Sequence, residues 1–337
     1  MTDGRRPGCP KRMVFGPCGG VRPDGGCEVL LDQPCVFDQQ VPGWPGVVAG
    51  PPVEPVPLVL TDFSCAPYSR SSHAEVAAEL AGSCDAVLVG EHQNRPDFPP
   101  VLQAAMLADA GLPAWLTLAC RDRNRVVLEQ ELVGLRELGV PAVLCVTGDA
   151  RGPDVRTGVS QVFDLDGTRL AALAASLGVP AAVAETPTAP PADRRGYRLA
   201  QKQRAGAGVA VLNYAPEAAV AALLADARTA GMTMPVLASV PVYTDARSAA
   251  VLDALPGLQL DHDEVRSVLD RPDPVAAGIA TAVTLAGRLL EIPGVVGVNL
   301  SGLASERGHR FAARVKAEVG RTVRAGVAAV RPPAGAG

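Results

Sequence analysis

Apolar runs and amphipathic stretches alternate along most of the chain, and that alternation predicts the fold. Eight short apolar runs recur: Leu58–Thr61, Ala86–Val89, Pro113–Ala119, Val143–Val146, Ala181–Ala184, Val209–Leu212, Pro235–Ala238 and Val295–Asn299. They are continuous rather than alternating, which is how a strand buried on both faces of a parallel sheet reads. Between them apolar residues return every three to four positions, as Val127, Leu128, Leu132, Leu135 and Leu138 do. That spacing predicts helices with one buried stripe. Candidate helices are His73–Ala81, Val126–Glu137, Thr168–Leu177, Glu217–Ala230 and Val275–Leu290. Eight strand–helix alternations make an α/β chain of the (β/α)8, or TIM, barrel kind. The seventh connection carries an extra piece, Leu258–Leu269, and a helix from Glu306 to near Arg324 closes the chain.

Ahead of the barrel the pattern stops. Residues 1–38 show no strand or helix period but hold Cys9, Cys18, Cys27 and Cys35, four of the eight cysteines. So short a segment cannot bury a core of its own, and a bound metal would supply the missing folding energy. The text CPKRMVFGPCGGVRPDGGCEV has no C-x-x-C knuckle of an ordinary zinc ribbon. Glycines beside Cys18 and Cys27 let backbone N–H groups aim at sulfur. The other reading is a loop whose cysteines pack on the barrel as small hydrophobes. Residues 39–57, with VPGWPGVVAGPPVEPVP, read as a Pro/Gly-rich linker that wraps the barrel and is anchored by Trp44. The barrel then spans residues 58–325, and residues 326–337 are a tail that frays from Pro332.

Composition excludes several classes. A net charge of −4 over 337 residues, without a basic run, gives no nucleic-acid footprint. The amino terminus lacks the apolar core of a signal peptide. The uncharged stretch Pro274–Gly287 is shorter than the ~20 residues that span a bilayer, and no other uncharged stretch reaches that length. A cytoplasmic protein with no membrane partner is expected, and in that reducing compartment cysteines serve as ligands or buried hydrophobes. No GxGxxG, P-loop or G-x-S-x-G occurs, so Rossmann, nucleotide triphosphatase and hydrolase readings have no support.

Polar residues stand just past several apolar runs: Asp62, Glu91, Asp122, Asp149, Glu185 and Asn213. Singly, each reads as a loop residue or a helix cap. Together they predict a concave mouth at the strand ends, suited to proton transfer and to binding a polar heterocycle. His92 joins this mouth beside Glu91, and the loop Ala150–Phe163 is long enough to be a lid or cofactor loop.

CRDRN at Cys120–Asn124, followed one helix later by TGD at Thr147–Asp149, resembles the methylenetetrahydrofolate reductase family of flavin-dependent TIM barrels. The resemblance runs over roughly residues 57–324. It implies an oxidoreductase interconverting 5,10-methylenetetrahydrofolate and 5-methyltetrahydrofolate. FAD or FMN would be the cofactor, a folate the substrate, and NAD(P)H or a ferredoxin-like protein the electron donor; a homo-oligomer is left open. It places flavin against Cys120, Arg121, Asp122, Arg123 and Asn124 and against Thr147, Gly148 and Asp149. In RLAQKQRAGAGVAVLNY it puts Lys202 on the flavin phosphate. Catalysis falls to Asp62 and Asp149, and substrate binding to Asp62, Glu91, Asp149, Asn213 and Tyr243, with Tyr214 the alternative to Tyr243 for stacking on pterin or nicotinamide.

Three departures accompany the resemblance. TDFSCAP stands where the family often reads TELSPP, so Asp62 replaces a glutamate whose proton opens the folate imidazolidine ring. The shorter arm withdraws the acid by more than about 1 Å, and a misplacement of that size costs on the order of 100-fold in rate. Asn213 likewise replaces a glutamine, and Arg195 stands where the family has an acid. The C-P-K and G-P-C-G-G elements resemble a cysteine-rich module that accompanies some of these reductases, which implies a [4Fe-4S] cluster or zinc at Cys9, Cys18, Cys27 and Cys35. Two other readings stand beside the reductase: a folate-binding one-carbon transfer paralogue of specialised metabolism without hydride transfer, and a non-catalytic partner subunit of a reductase.

Overall fold

A computed structural model describes residues 8–37, 41–91, 96–150, 158–255, 257–302 and 305–330. His92, residues 151–157 of the expected lid and the tail from Pro332 lie outside the described residues. Eight parallel strands close into a barrel in chain order: β1 (Val59–Phe63), β2 (Ala86–Val89), β3 (Ala114–Ala119), β4 (Val143–Val146), β5 (Ala181–Glu185), β6 (Ala207–Leu212), β7 (Val236–Pro241) and β8 (Val295–Ser301). The connections hold α1 (Arg70–Leu80), α2 (Pro100–Asp109), α3 (Arg125–Glu137), α4 (Gly167–Ser176), α5 (Ala192–Arg204) and α6 (Glu217–Thr229). The seventh connection carries α7 (Ala246–Asp253), α8 (His262–Leu269) and α9 (Pro274–Glu291), and α10 (His309–Val330) follows β8. No described helix is long and apolar enough to cross a membrane.

Successive strand residues face opposite ways, and both faces are dry. Leu60, Leu88, Trp115, Leu144, Val209, Val211 and Leu237 fill the barrel interior. Val59, Val87, Leu116, Val143, Val183 and Val236 join the core shared with the helices. This double burial is the reason the runs are continuous in sequence. It also packs the barrel solid, so space for a ligand remains only at an end. The interior cluster includes Val53 from the linker. The linker is held to α5 by bonds from the Trp44 N–H to Gln201 Oε1 and from the Val48 N–H to the Arg204 carbonyl, both 2.8 Å.

Several elements run further than hydrophobicity predicts. β1, β5 and β8 continue to Phe63, Glu185 and Ser301, so Asp62 and Glu185 are ladder residues rather than loop residues. Helix α1 starts at Arg70, ahead of His73, because the Ser69 hydroxyl caps it by accepting the Ser72 N–H at 3.2 Å. Helix α10 begins at His309 rather than Glu306 and continues past Arg324 to Val330.

The amino-terminal segment has little regular structure and docks on the carboxyl-end mouth of the barrel. Met13 and Phe37, each 1% exposed, are its most buried apolar residues. The Val14 N–H donates to Asp166 Oδ2 at 2.8 Å, and the Ala150 N–H donates to Glu28 Oε1 at 3.1 Å. The Phe15 ring lies 4.6 Å from that of Trp44, which ties the segment to the linker.

Candidate active site

A cavity of about 300 Å³ opens at the barrel mouth. Thr117, Leu144 and Ser239 lie at its base, and Glu91, Arg121, Thr147, Gly148, Asp149, Glu185, Asn213, Tyr214 and Ser301 stand around it. Lys11, Cys18, Gly19 and Gly20 of the amino-terminal segment cover it. The cover sits close. A Cβ on Gly19 would stand 2.7 Å from the Thr186 hydroxyl, and one on Gly257 would stand 2.7 Å from the Gly19 carbonyl. Only residues without side chains allow that approach.

One wall carries a buried excess of positive charge. Glu185 accepts from Arg198 Nη1 at 2.5 Å and Arg195 Nη1 at 3.2 Å, and Lys202 Nζ lies 3.0 Å away. Burial alone would raise the Glu185 carboxyl, but Arg198, Lys202 and Arg195 outweigh it and hold the group well below its ordinary range. The same crowding acts in reverse on Lys202. Burial, then Arg198, lowers its ammonium to about 7 although Glu185 pulls the other way. Lys202 also donates to the Ala184 carbonyl. Arg198 Nε is buried with no hydrogen-bond partner among the described residues. Three cations thus share one carboxylate, and the wall has capacity for an anion.

The three acidic residues expected in catalysis or substrate binding differ in their commitments. Asp149 lines the cavity and its carboxylate accepts no hydrogen bond from the described residues. Burial pushes that carboxyl above its ordinary range, with Lys11 opposing, Glu28 reinforcing and Arg121 opposing. Glu91 lines the cavity but is held by Arg123, at 2.5 Å from Oε1 and 2.9 Å from Oε2, and by the Ala119 N–H at 2.7 Å. Asp62 is not among the lining residues. Its Oδ1 accepts Asn299 Nδ2 at 3.0 Å and its Oδ2 accepts the Ser301 hydroxyl at 2.8 Å. Ser301 does line the cavity, so it links Asp62 to the ligand space. The buried Lys316 of α10 donates to the main-chain carbonyls of Asp62 and Gly302 and ties the ends of β1 and β8 together.

Of the expected flavin residues, Arg121, Thr147, Gly148, Asp149 and Lys202 line the cavity, and Asn213 joins them with its Nδ2 on the Thr186 hydroxyl at 2.8 Å. Cys120, Asp122, Arg123 and Asn124 do not. Strand alternation explains Cys120: Ala119 and Arg121 line the cavity, so Cys120 between them turns into the core shared with the helices. Asp122 pairs with Arg121 at 3.0 Å, and Asn124 caps α3 by accepting the Val127 N–H at 3.0 Å. Tyr243, expected against substrate, is 5% exposed and belongs to the core, and the lining tyrosine is Tyr214. The sequence reading missed Lys11, Arg198, Thr186 and Ser301. Only Lys11 left a signal, its place in C-P-K.

The four cysteines of the segment all line one small pocket of about 20 Å³ with Met13, Val21 and Phe37. The Val29 N–H points at Cys27 Sγ, 3.4 Å away. In donor kind this suits a thiolate-bound metal. The arrangement is not yet a ligating one: Cys18 Sγ donates to Glu28 Oε2 at 3.2 Å, and among the described residues no three His, Cys, Asp or Glu converge as metal ligands.

The molecule is therefore a (β/α)8 barrel whose mouth is closed in cis by a cysteine-rich segment. Residues 5–43 match the family described as methylene-tetrahydrofolate reductase C terminal, which supports the resemblance carried by C-P-K and G-P-C-G-G. No curated protein sequence matches the chain. Among solved structures it is similar to an uncharacterized protein from Clostridium thermocellum, described as binding two copies of 5-methyl-5,6,7,8-tetrahydrofolic acid. The two are 12% identical with a TM-score of 0.56, over 79% of this chain and 94% of the other. At that identity the likeness shows the barrel fold.

Proposed function

We propose that the chain binds a reduced folate in the mouth cavity and, with a flavin, interconverts 5,10-methylenetetrahydrofolate and 5-methyltetrahydrofolate. The observation that carries this reading is the meeting, beneath the matched segment, of an uncommitted carboxyl, Asp149, an amide, Asn213, and a cationic wall. The neighbour described as binding 5-methyltetrahydrofolic acid supports a folate for this barrel. Thr147, Gly148 and Asp149 would hold a flavin ring, and the excess charge of Arg195, Arg198 and Lys202 would meet its phosphate, FAD or FMN alike. Bound there, the flavin supplies hydride chemistry, recharged by NAD(P)H or a ferredoxin-like protein. The four cysteines would close on an iron–sulfur cluster or zinc.

Asp62 would hold the proton destined for the imidazolidine nitrogen of the folate. Ser301 donates to Asp62, and a protonated Asp62 could instead donate to Ser301, whose hydroxyl then passes its own proton to the ring. That relay restores the reach lost with the shorter arm. As the N–H bond forms, the neighbouring C–N bond breaks toward that nitrogen and leaves an iminium carbon able to accept hydride. Asn213 would bind the pterin edge, while Asn299 and Lys316 keep Asp62 oriented.

The test is anaerobic purification followed by absorbance and titration with 5-methyltetrahydrofolate. Flavin bands and saturable folate binding are expected. A colourless protein that binds folate would overturn the redox reading in favour of the one-carbon paralogue, and failure to bind folate would overturn both.

A further inference from the structure

The C-P-K motif gives its cysteine to the thiol pocket and its lysine to the barrel mouth. Lys11 is 3% exposed and lines both the mouth cavity and the small cysteine pocket. Its ammonium is clamped by Glu28 Oε1 at 2.5 Å. Glu28 is fixed in turn by the Ala150 N–H on Oε1 and by the Cys18 thiol on Oε2. The clamp spends one of three N–H donors of the lysine. It also seats the ammonium beside the loop that carries Asp149, whose carboxyl has no hydrogen-bond partner among the described residues and lines the same cavity.

We propose that Lys11 is a substrate-recognition residue lent to the barrel by the cysteine-rich segment, and that it acts with Asp149 to read one edge of a pterin-type heterocycle. The inference rests on the folate reading above and adds a residue and a discrimination to it. A 2-amino-4-oxo pyrimidine edge presents an acceptor oxygen followed by an N–H and an amino donor. An ammonium beside a carboxylate is the complementary order: Lys11 donates to the oxygen and Asp149 accepts from the two donors. A 2,4-diamino analogue turns an amino group toward the ammonium, leaving donor facing donor, and its N3 carries a lone pair in place of the hydrogen that Asp149 accepts. An unsatisfied buried donor of that kind costs on the order of tenfold in affinity or more.

The first measurement uses the unaltered chain. Its lysines are Lys11, Lys202 and Lys316 alone, so protein labelled with carbon-13 at lysine Cε gives a spectrum in which Lys11 is assigned by comparison with Lys11→Arg. Adding 5-methyltetrahydrofolate should shift the Lys11 resonance. The second compares 5-methyltetrahydrofolate with its 2,4-diamino analogue by calorimetric titration. The wild type should prefer the oxo compound by about tenfold or more, and Lys11→Met should narrow that preference at least about threefold, leaving the part that Asp149 sets through N3. Saturable binding with no shift at Lys11, or an unchanged preference in Lys11→Met, overturns the proposal. Should Lys11→Met undock the segment, seen as fast alkylation of Cys18, the wild-type spectrum decides alone. If neither compound binds the wild type, the folate reading fails before any variant is made and this proposal falls with it.

Discussion

Glu185→Gln is the sharpest perturbation this architecture offers. The substitution keeps the side chain's shape and deletes the carboxylate that Arg195, Arg198 and Lys202 share among the described residues, at 3.2, 2.5 and 3.0 Å. All four side chains are at most 6% exposed, so water cannot replace the lost charge. Removing one partner of a buried ion pair costs about 3–5 kcal/mol, and three cations losing one anion belong at the upper end. At about 2–4 °C per kcal/mol, the scale for domains of 150–250 residues, the upper end of that cost should lower the melting temperature by roughly 10–20 °C. Lys202→Met should behave oppositely. It removes a cation from a cluster with cations to spare, so its cost should be small or its effect stabilising. Calorimetry and urea unfolding of both variants provide the comparison. A loss under about 0.5 kcal/mol in Glu185→Gln, the range of an ordinary surface change, would refute the charge-excess argument. So would a Lys202→Met variant as unstable as Glu185→Gln.

Asn124→Ala should cost about 1 kcal/mol through loss of the α3 cap while leaving flavin and folate affinities unchanged; thermal melting and ligand titration check the two halves. Stability should rise between pH 7 and 8.5. Burial lowers Lys202 to about 7 and Lys316 to about 8 from an ordinary 10.5, so each charged ammonium destabilises the fold below its folded value. The penalty is relieved as pH climbs toward the unfolded value. Urea unfolding at each pH measures the slope, and Lys316→Met should flatten it.

The barrel was legible because its strands are dry on both faces, which leaves a continuous apolar signature that few other folds share. The mouth was legible as a ring of polar residues at strand ends. Which of them face the ligand was not, because facing depends on a two-residue alternation that a motif string hides. Cys120 and Arg121 are neighbours in CRDRN, yet one enters the core and the other the cavity. Ser301 and Lys316 escaped notice because their importance comes from contact with Asp62, well over two hundred positions away in the chain. The scarcity of lysine is a clue in its own right. In a chain so rich in arginine, the three that remain are all buried, at 3%, 5% and 2% exposure for Lys11, Lys202 and Lys316. A buried ammonium is a compact point charge that a planar guanidinium does not replace.

The covering segment also fixes an order of events at the ribosome. Lys11, Cys18 and Gly19 are translated early, but the surfaces they rest on arrive with Asp166, Thr186, Arg195 and finally Gly257. Between Cys35 and Gly257 lie roughly 220 residues, or on the order of 10–45 s of synthesis at about 5–20 residues per second. Throughout that interval the four thiols have no barrel to lean on and stand open to metal, oxidant or chaperone. The cavity forms only when a strip of chain that has waited for the barrel to be made is laid across its mouth.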